Sequence, residues 1–189
     1  MTQKEEFLQI FTEKIKRDGA DKLLEWLKKS DFFEAPASTK FHLAEYGGLC
    51  THSVNVYHRL CRLWQMEYGA IEEKHEESIA ISALLHDLCK VNFYSESTRN
   101  VKKDGKWEAV PFFTVDEKLK YGGHGSKSVF LAERFIRLEI PEAIAINCHM
   151  SVYDRPSGDY TIGSAYEHCH LALLLHQADE LASYIDEAA

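Results

Sequence analysis

A histidine and an aspartate, His86 and Asp87, stand next to each other where an apolar helical run ends. Apolar residues at helical spacing predict a helix over about Glu76–Lys90. Adjacent helical residues project about 100° apart, so this pair can meet one ion only at the edge of the helix. A chain that uses both side chains must therefore bring other helices to that edge.

Further apolar stripes predict helices along most of the chain, and Asp104-Gly105 separates two β-compatible runs in the manner of a β-hairpin. The sequence therefore predicts one all-α domain, a helical bundle with a small inserted hairpin. The predicted parts are N-terminal helices over 1–40, a helical core over 41–90 and 124–187, and the hairpin insertion over 91–123. The core helices are expected at about Thr51–Tyr68, Ser126–Leu138, Pro141–Met150 and Ser164–Asp186.

The composition excludes several classes of protein. The 189 residues are 45% hydrophobic, enough for a real core, and the net charge of −8 argues against nonspecific coating of a nucleic-acid backbone. Five scattered cysteines without a CxxC pair are typical of reduced thiols. The N-terminus lacks the apolar core of a signal peptide, and no apolar run reaches 18 residues. We therefore expect a cytoplasmic protein with no membrane partner.

Two more potential ligands lie on other predicted helices. His52 heads the apolar stripe of its helix, and Asp179 lies beside the core stripe of the last helix. Taken singly, a hydrogen-bonded core histidine and a surface acid are the ordinary interpretations. A carboxylate facing a core is costly unless it is paired, protonated or metal-bound. Together with the His-Asp pair, these residues favour a divalent transition metal such as Mn, Fe, Ni, Co or Zn.

These residues resemble the HD superfamily of metal-dependent phosphohydrolases over about Phe41–Tyr184. The segments that carry the resemblance are Gly47–Ser53, Leu84–Lys90, Gly122–Ser128 and Ala178–Asp179. The resemblance implies an all-α core whose first metal is held by His52, His86, Asp87 and Asp179. It also implies catalysis at Asp87, where the metal lowers the pKa of a bound water and presents hydroxide to phosphorus.

Some branches of the superfamily hold a second metal through histidines between the HD pair and the final aspartate. His124 and His149 are the candidates here, with Asp87 bridging two ions and Mg as an alternative at the second site. The ordinary alternatives are a loop histidine and a histidine stabilised by the helix dipole. The branch that hydrolyses cyclic dinucleotides carries a Gly-Tyr-Pro motif, which this chain lacks after its HD pair.

Three basic residues are candidates for contacts with substrate phosphate. Lys90 shares a helix face with His86, and a lysine in this place commonly sits by the site in the family; a cation at the helix end is the alternative. Arg155 follows in a loop after His149 and could form a phosphate fork. Lys127 belongs to the window 90–127, whose eight basic and five acidic residues give a local charge of +3.

The sequence therefore predicts a metal-dependent phosphohydrolase or phosphodiesterase with catalytic residues Asp87 and Lys90. The substrate expected from the family is a nucleotide or short oligonucleotide, and the acidic net charge favours a small nucleotide. The hairpin is expected to lie over the mouth of the site. The alternatives are a 3′→5′ exonuclease-like activity on nucleic acid and a catalytically silent, metal-stabilised binding or regulatory module.

Overall fold

Two central helices carry the HD pair and its first partner, and the other helices pack around them. The computed structural model describes residues 1–116, 122–155 and 159–188. Its helices are α1 (Gln3–Lys14), α2 (Ala20–Lys29), α3 (Gly48–Tyr68), α4 (Glu73–Leu85), α5 (His124–Glu133), α6 (Ile140–Cys148), α7 (Thr161–His168) and α8 (His170–Leu181). Strands β1 (Tyr94–Lys103) and β2 (Lys106–Val115) form the predicted hairpin. The prediction of a mostly helical domain with one small hairpin is confirmed.

The centre of the domain is α4, which is buried on every side from Ile79 to Leu85. A helix with apolar residues all round must be enclosed by other elements, and α3, α6 and α8 pack against it. The helix ends at Leu85, earlier than predicted, and Asp87 adopts φ −106° and ψ 23°. That conformation lies near the sparsely populated bridge region where active-site residues often occur. His86 still has helical dihedral angles, so it is Asp87 that departs from the angular spacing of an α-helix.

The prediction of one long last helix is wrong. Cys169 separates α7 from α8 with an extended φ of −136° and ψ of 89°, and a π turn over Ala182–Asp186 follows α8. A π turn shifts the side-chain register, so Ile185, seven residues after the buried Ala178, is 61% exposed. The same turn brings Glu187 into the interior.

The start of α3 is fixed by a close backbone contact. A Cβ atom on Gly48 would lie 2.2 Å from the carbonyl oxygen of Leu43, so only glycine fits. This contact holds the loop with His42 against the first turn of α3. His52 follows one turn later, facing the interior.

The hairpin turns at the predicted Asp104-Gly105 pair. Its pairing runs from Tyr94–Val115 to Lys103–Lys106, and the turn residues Asp104 and Gly105 both have positive φ, as a type I′ turn requires. Trp107 is 70% exposed, so the hairpin does not close over the core through this side chain. Two lysines of the positively charged window 90–127, Lys118 and Lys120, lie outside the described residues, as does Tyr121. Among the described helices, none has the length and apolarity needed to cross a bilayer.

A buried ion pair joins the N-terminal helices to the two helices that carry His86 and His149. Arg17, between α1 and α2, donates two hydrogen bonds to the carboxylate of Glu142 on α6, which is fully buried. Ser78 on α4 donates to the same carboxylate at 2.7 Å. This junction therefore sets the relative position of α4 and α6.

Replacing Arg17 by Met should lower the free energy of unfolding by about 3 kcal/mol, because the buried Glu142 carboxylate would lose its cation. The control is Lys28→Met, which removes an exposed pair with Glu25 and should change stability by less than about 1 kcal/mol. Urea denaturation followed by circular dichroism measures both. Equal effects of the two variants would contradict the bracing role of Arg17.

Candidate metal centre

The four residues predicted as ligands of the first metal converge at one point in the interior. His52 comes from α3, His86 and Asp87 from the end of α4, and Asp179 from α8. The Nε2 atom of His52 lies 3.1 Å from Asp179 Oδ1, 3.2 Å from His86 Nε2 and 3.6 Å from Asp87 Oδ2. His86 Nε2 lies 3.4 Å from Asp87 Oδ2. No side chain of the four points to bulk solvent.

These separations suit the edges of a metal coordination shell. Nitrogen and oxygen ligands bound at 2.0–2.2 Å to one ion stand roughly 2.8–3.6 Å apart, from octahedral to tetrahedral geometry. The observed edges of 3.1–3.6 Å match that range. The donor set of imidazole and carboxylate is one that Mn, Fe, Co, Ni and Zn accept.

Hydrogen bonds at the outer ring nitrogens orient the imidazoles. The Nδ1–H of His86 donates to the carbonyl of Ala83 at 2.8 Å, and that of His149 donates to Ile146 at 2.7 Å. His52 Nδ1 lies 3.1 Å from both oxygens of Glu187. Occupying Nδ1 in this way fixes the tautomer whose Nε2 lone pair faces inward. The three rings are therefore oriented as metal ligands are.

The ionised side chains of the cluster carry a net negative charge, which favours a bound cation. Burial opposes the ionisation of Asp87, but Lys90 and His86 hold its pKa well below the usual range. Hydrogen bonds from His52 outweigh burial and lower the pKa of Asp179 and of Glu187. Three ionised carboxylates against the one Lys90 ammonium leave a formal charge of −2. A divalent cation would neutralise that charge.

Without a metal, protons on the histidines neutralise part of that negative charge. Burial opposes the protonation of His52, but its bonds to Asp179 and Glu187 raise its pKa to about 9. The carboxylate of Asp87 likewise outweighs burial and raises the pKa of His149. The cluster therefore attracts positive charge, and a metal would compete with these protons for the inward nitrogens.

The two additional predicted histidines take different places. His149, at the end of α6, is fully buried, and its Nε2 lies 3.6 Å from Asp87 Oδ1 without a hydrogen-bond partner. A buried nitrogen beside a carboxylate, with no hydrogen-bond partner, fits the position of a metal ligand. His124, at the start of α5, contacts the thiol of Cys89 at 3.3 Å. His149 thus groups with His86 and Asp87, whereas His124 groups with Cys89 and Asp87.

The three basic candidates also differ in position. The Lys90 ammonium lies 2.7 Å from Asp87 Oδ2, at the edge of the cluster. Lys127, on α5, is mostly buried, and its ammonium lies 6.0 Å from the centre of the Phe93 ring. The guanidinium of Arg155 donates to the carbonyl of Asn147 at 3.2 Å. The structure therefore brings Lys90 to the candidate ligands and places Arg155 against the end of α6.

Sequence reasoning missed two residues that contact His52. The ring of His42 stacks on that of His52 with centroids 4.9 Å apart, and burial with the neighbouring His52 lowers the pKa of His42 to about 4. Glu187 reaches His52 through the π turn, and Asn55 donates to Glu187 at 2.9 Å. Neither contact has a signal in local spacing, because both depend on loops and turns that meet α3 from elsewhere.

The imidazole and carboxylate groups of the site suit a metal centre, and the family comparison agrees with this interpretation. The HD domain family matches residues 49–184, which is most of the chain, so the chain belongs to this family. HD domains bind divalent metals and are in general metal-dependent phosphohydrolases. The comparisons with curated proteins and with solved structures give no match.

Glu187→Ala should weaken Mn²⁺ binding by about 10- to 100-fold, because His52 would lose the hydrogen bond that orients it. Glu187→Gln, which keeps an acceptor but removes the charge, should have a smaller effect. Asp186→Asn is the matched control, since the neighbouring Asp186 pairs with Arg59 at the surface. Calorimetric titration measures the affinities. If Glu187→Ala binds Mn²⁺ as tightly as the control, Glu187 has no orienting role.

Proposed function

We propose that the protein is a metal-dependent phosphohydrolase that hydrolyses a phosphate ester of a small nucleotide. The proposed ligands of its metal are His52, His86, Asp87 and Asp179. The observation that carries the proposal is the convergence of inward-facing Nε2 atoms and ionised carboxylates at one buried point with a formal charge of −2. That charge includes the carboxylate of Glu187 and the ammonium of Lys90.

The metal ligands and Lys90 have different roles in the proposed reaction. The metal, when bound, supplies Lewis-acid activation of a water molecule and of the phosphoryl group. His52 and His86 are held rigidly by their Nδ1–H bonds, so little reorganisation is needed during reaction. Lys90 has three N–H donors and uses one on Asp87 Oδ2, so it can also donate to a phosphoryl oxygen. Its positive charge would offset the negative charge that develops in the transition state.

A nucleotide is favoured by groups next to this point. Phe93 and Tyr94 lie shortly after Lys90, with their rings 5.0 Å apart, and the Phe93 ring is 6.1 Å from that of His124. Aromatic faces of this kind stack on nucleobases. Lys127 lies near the same ring and is our candidate for a further phosphate contact, together with Arg155. The net charge of −8 disfavours a long nucleic acid.

The experiment that tests the proposal is a substrate screen with Mn²⁺, Ni²⁺, Co²⁺ and Mg²⁺. Nucleoside mono-, di- and triphosphates, phosphodiesters and short oligonucleotides are compared at equal phosphate concentration. Release of phosphate or nucleoside from a small nucleotide supports the proposal. Stepwise shortening of oligonucleotides would favour the exonuclease instead. Metal binding without turnover on any substrate would favour a regulatory module.

His52→Ala should lose tightly bound metal and at least about a hundredfold in activity, because the shell would lose a ligand and its orientation. His58→Ala on the same helix is the control, since His58 is half-exposed and pairs with Glu6. Elemental analysis of the purified variants gives the metal content, and the best substrate from the screen gives the rate. Metal content in His52→Ala equal to that of the control would refute the assigned ligand set.

Replacing Arg99–Thr114 by a short Gly-Ser link should raise KM but leave metal content unchanged. The hairpin begins at Tyr94, four residues after Lys90, and at its base Tyr46 packs on Phe113 and hydrogen-bonds Glu96. Most of the remaining hairpin is exposed and free to contact substrate. Steady-state kinetics with the best substrate checks this. Unchanged kinetics would show that the hairpin takes no part in substrate selection.

A further inference from the structure

A thiol, an imidazole and a carboxylate oxygen converge beside the first metal position. Cys89 Sγ lies 3.3 Å from His124 Nδ1 and 3.9 Å from Asp87 Oδ1. All three ligand atoms lie within 4.8 Å of one another. None of the roles proposed above uses Cys89, so the thiol is a buried nucleophilic group without an assigned task.

The spacing suits a metal with a sulfur ligand. In a tetrahedral site with bonds of 2.3 Å to sulfur and 2.0–2.1 Å to nitrogen or oxygen, the sulfur stands about 3.5 Å from the other ligands. The observed 3.3 Å and 3.9 Å lie on either side of that value. An ion at this place would have three protein ligands and an open position, the arrangement typical of catalytic rather than structural sites.

Asp87 can serve both positions because its two oxygens face different groups. Oδ2 lies close to Lys90, His86 and His52. Oδ1 faces His149 and Cys89. The carboxylate therefore has an oxygen on each side and can join two ions without moving.

The second group is held in place by α5. A Cβ atom on Gly125 would lie 2.3 Å from the carbonyl oxygen of Asn147, so glycine lets α5 and α6 approach closely next to His124. The carboxylate of Asp154 accepts a hydrogen bond from the Gly125 N–H at 3.1 Å. Ser128, one turn along α5, accepts from the Cys89 N–H at 3.1 Å. The same helix thus positions both the imidazole and the thiol.

We propose that Asp87, Cys89 and His124 form a second metal position that takes a sulfur-accepting divalent ion such as Zn²⁺, Co²⁺, Fe²⁺ or Ni²⁺. Mg²⁺ is disfavoured because it binds hard oxygen ligands and not thiolate. The proposal rests on the proposed function only in that Asp87 is shared. Of the two histidines predicted for one second site, only His124 belongs to this position. His149 groups with His86 and Asp87 instead.

The thiol must lose its proton when the metal binds. The thiol of Cys89 donates towards Asp87 Oδ1 at 3.9 Å and lies 3.3 Å from His124 Nδ1, so its proton stands between the proposed ligand atoms. A metal held here would take Cys89 as the thiolate, so its binding would release the thiol proton to solvent. This position should fill after the first, because it offers three protein ligands where the first offers four.

The test is a Co²⁺ titration of the full chain, followed by absorption spectroscopy. A cobalt–thiolate bond gives a sulfur-to-cobalt charge-transfer band in the near ultraviolet, which nitrogen and oxygen ligands do not give. We expect this band to grow with the second equivalent of Co²⁺ in the wild type. Cys89→Ser should lose the band and bind one equivalent less. Cys61→Ser, which changes a cysteine on α3 beside Tyr57, should keep both.

His124→Ala gives an independent test if Cys89→Ser does not fold. It should weaken the second equivalent by about tenfold or more while leaving the first in place. A wild type that binds Co²⁺ without the band, or a band that persists in Cys89→Ser, would overturn the second position. Failure of the first site would appear differently, as unchanged Co²⁺ content in His52→Ala.

Discussion

The rest of the structure depends on the need to compensate buried charge at one point. Asp87, Asp179 and Glu187 are ionised in the interior, and Lys90 balances only one of them. Carboxylates in this state are strongly unfavourable unless cations or hydrogen-bond donors surround them. Three histidines supply the donors, and each comes from a different helix end or helix face. The packing of α3, α4, α6 and α8 is therefore also the assembly of a cation site.

The fold brings these side chains together through departures from regular helix. At the end of α4 the chain leaves the helix after Leu85, so adjacent residues can face the same ion. At the end of α8 the π turn carries Glu187 inward, behind the ring of His52. The junction of Arg17 and Glu142 braces the helices on which His86 and His149 depend. Rigid apolar packing elsewhere allows these local irregularities to persist.

Much of this could be predicted from the sequence. Helical spacing predicted most of the helices, Asp104-Gly105 predicted the hairpin turn, and the HD resemblance singled out His52, His86, Asp87 and Asp179. The break at Cys169 could not be predicted, because the apolar stripe continues through it. Glu187 lies beyond the residues matched by the family, and its inward direction comes from a turn that periodicity does not encode. Cys89 is a common buried residue type, and only its distance from His124 distinguishes it.

The hairpin has a consequence for self-association. A sheet of two strands consists only of edges, so β1 and β2 each present a row of backbone groups that another chain could pair with. Lys102, Lys103 and Lys106 surround the turn, and Pro111 removes an N–H donor from β2. Charge and proline of this kind discourage strand addition between molecules. The basic character of the hairpin thus keeps an exposed ribbon from templating aggregates, whatever it contributes to attracting an anion.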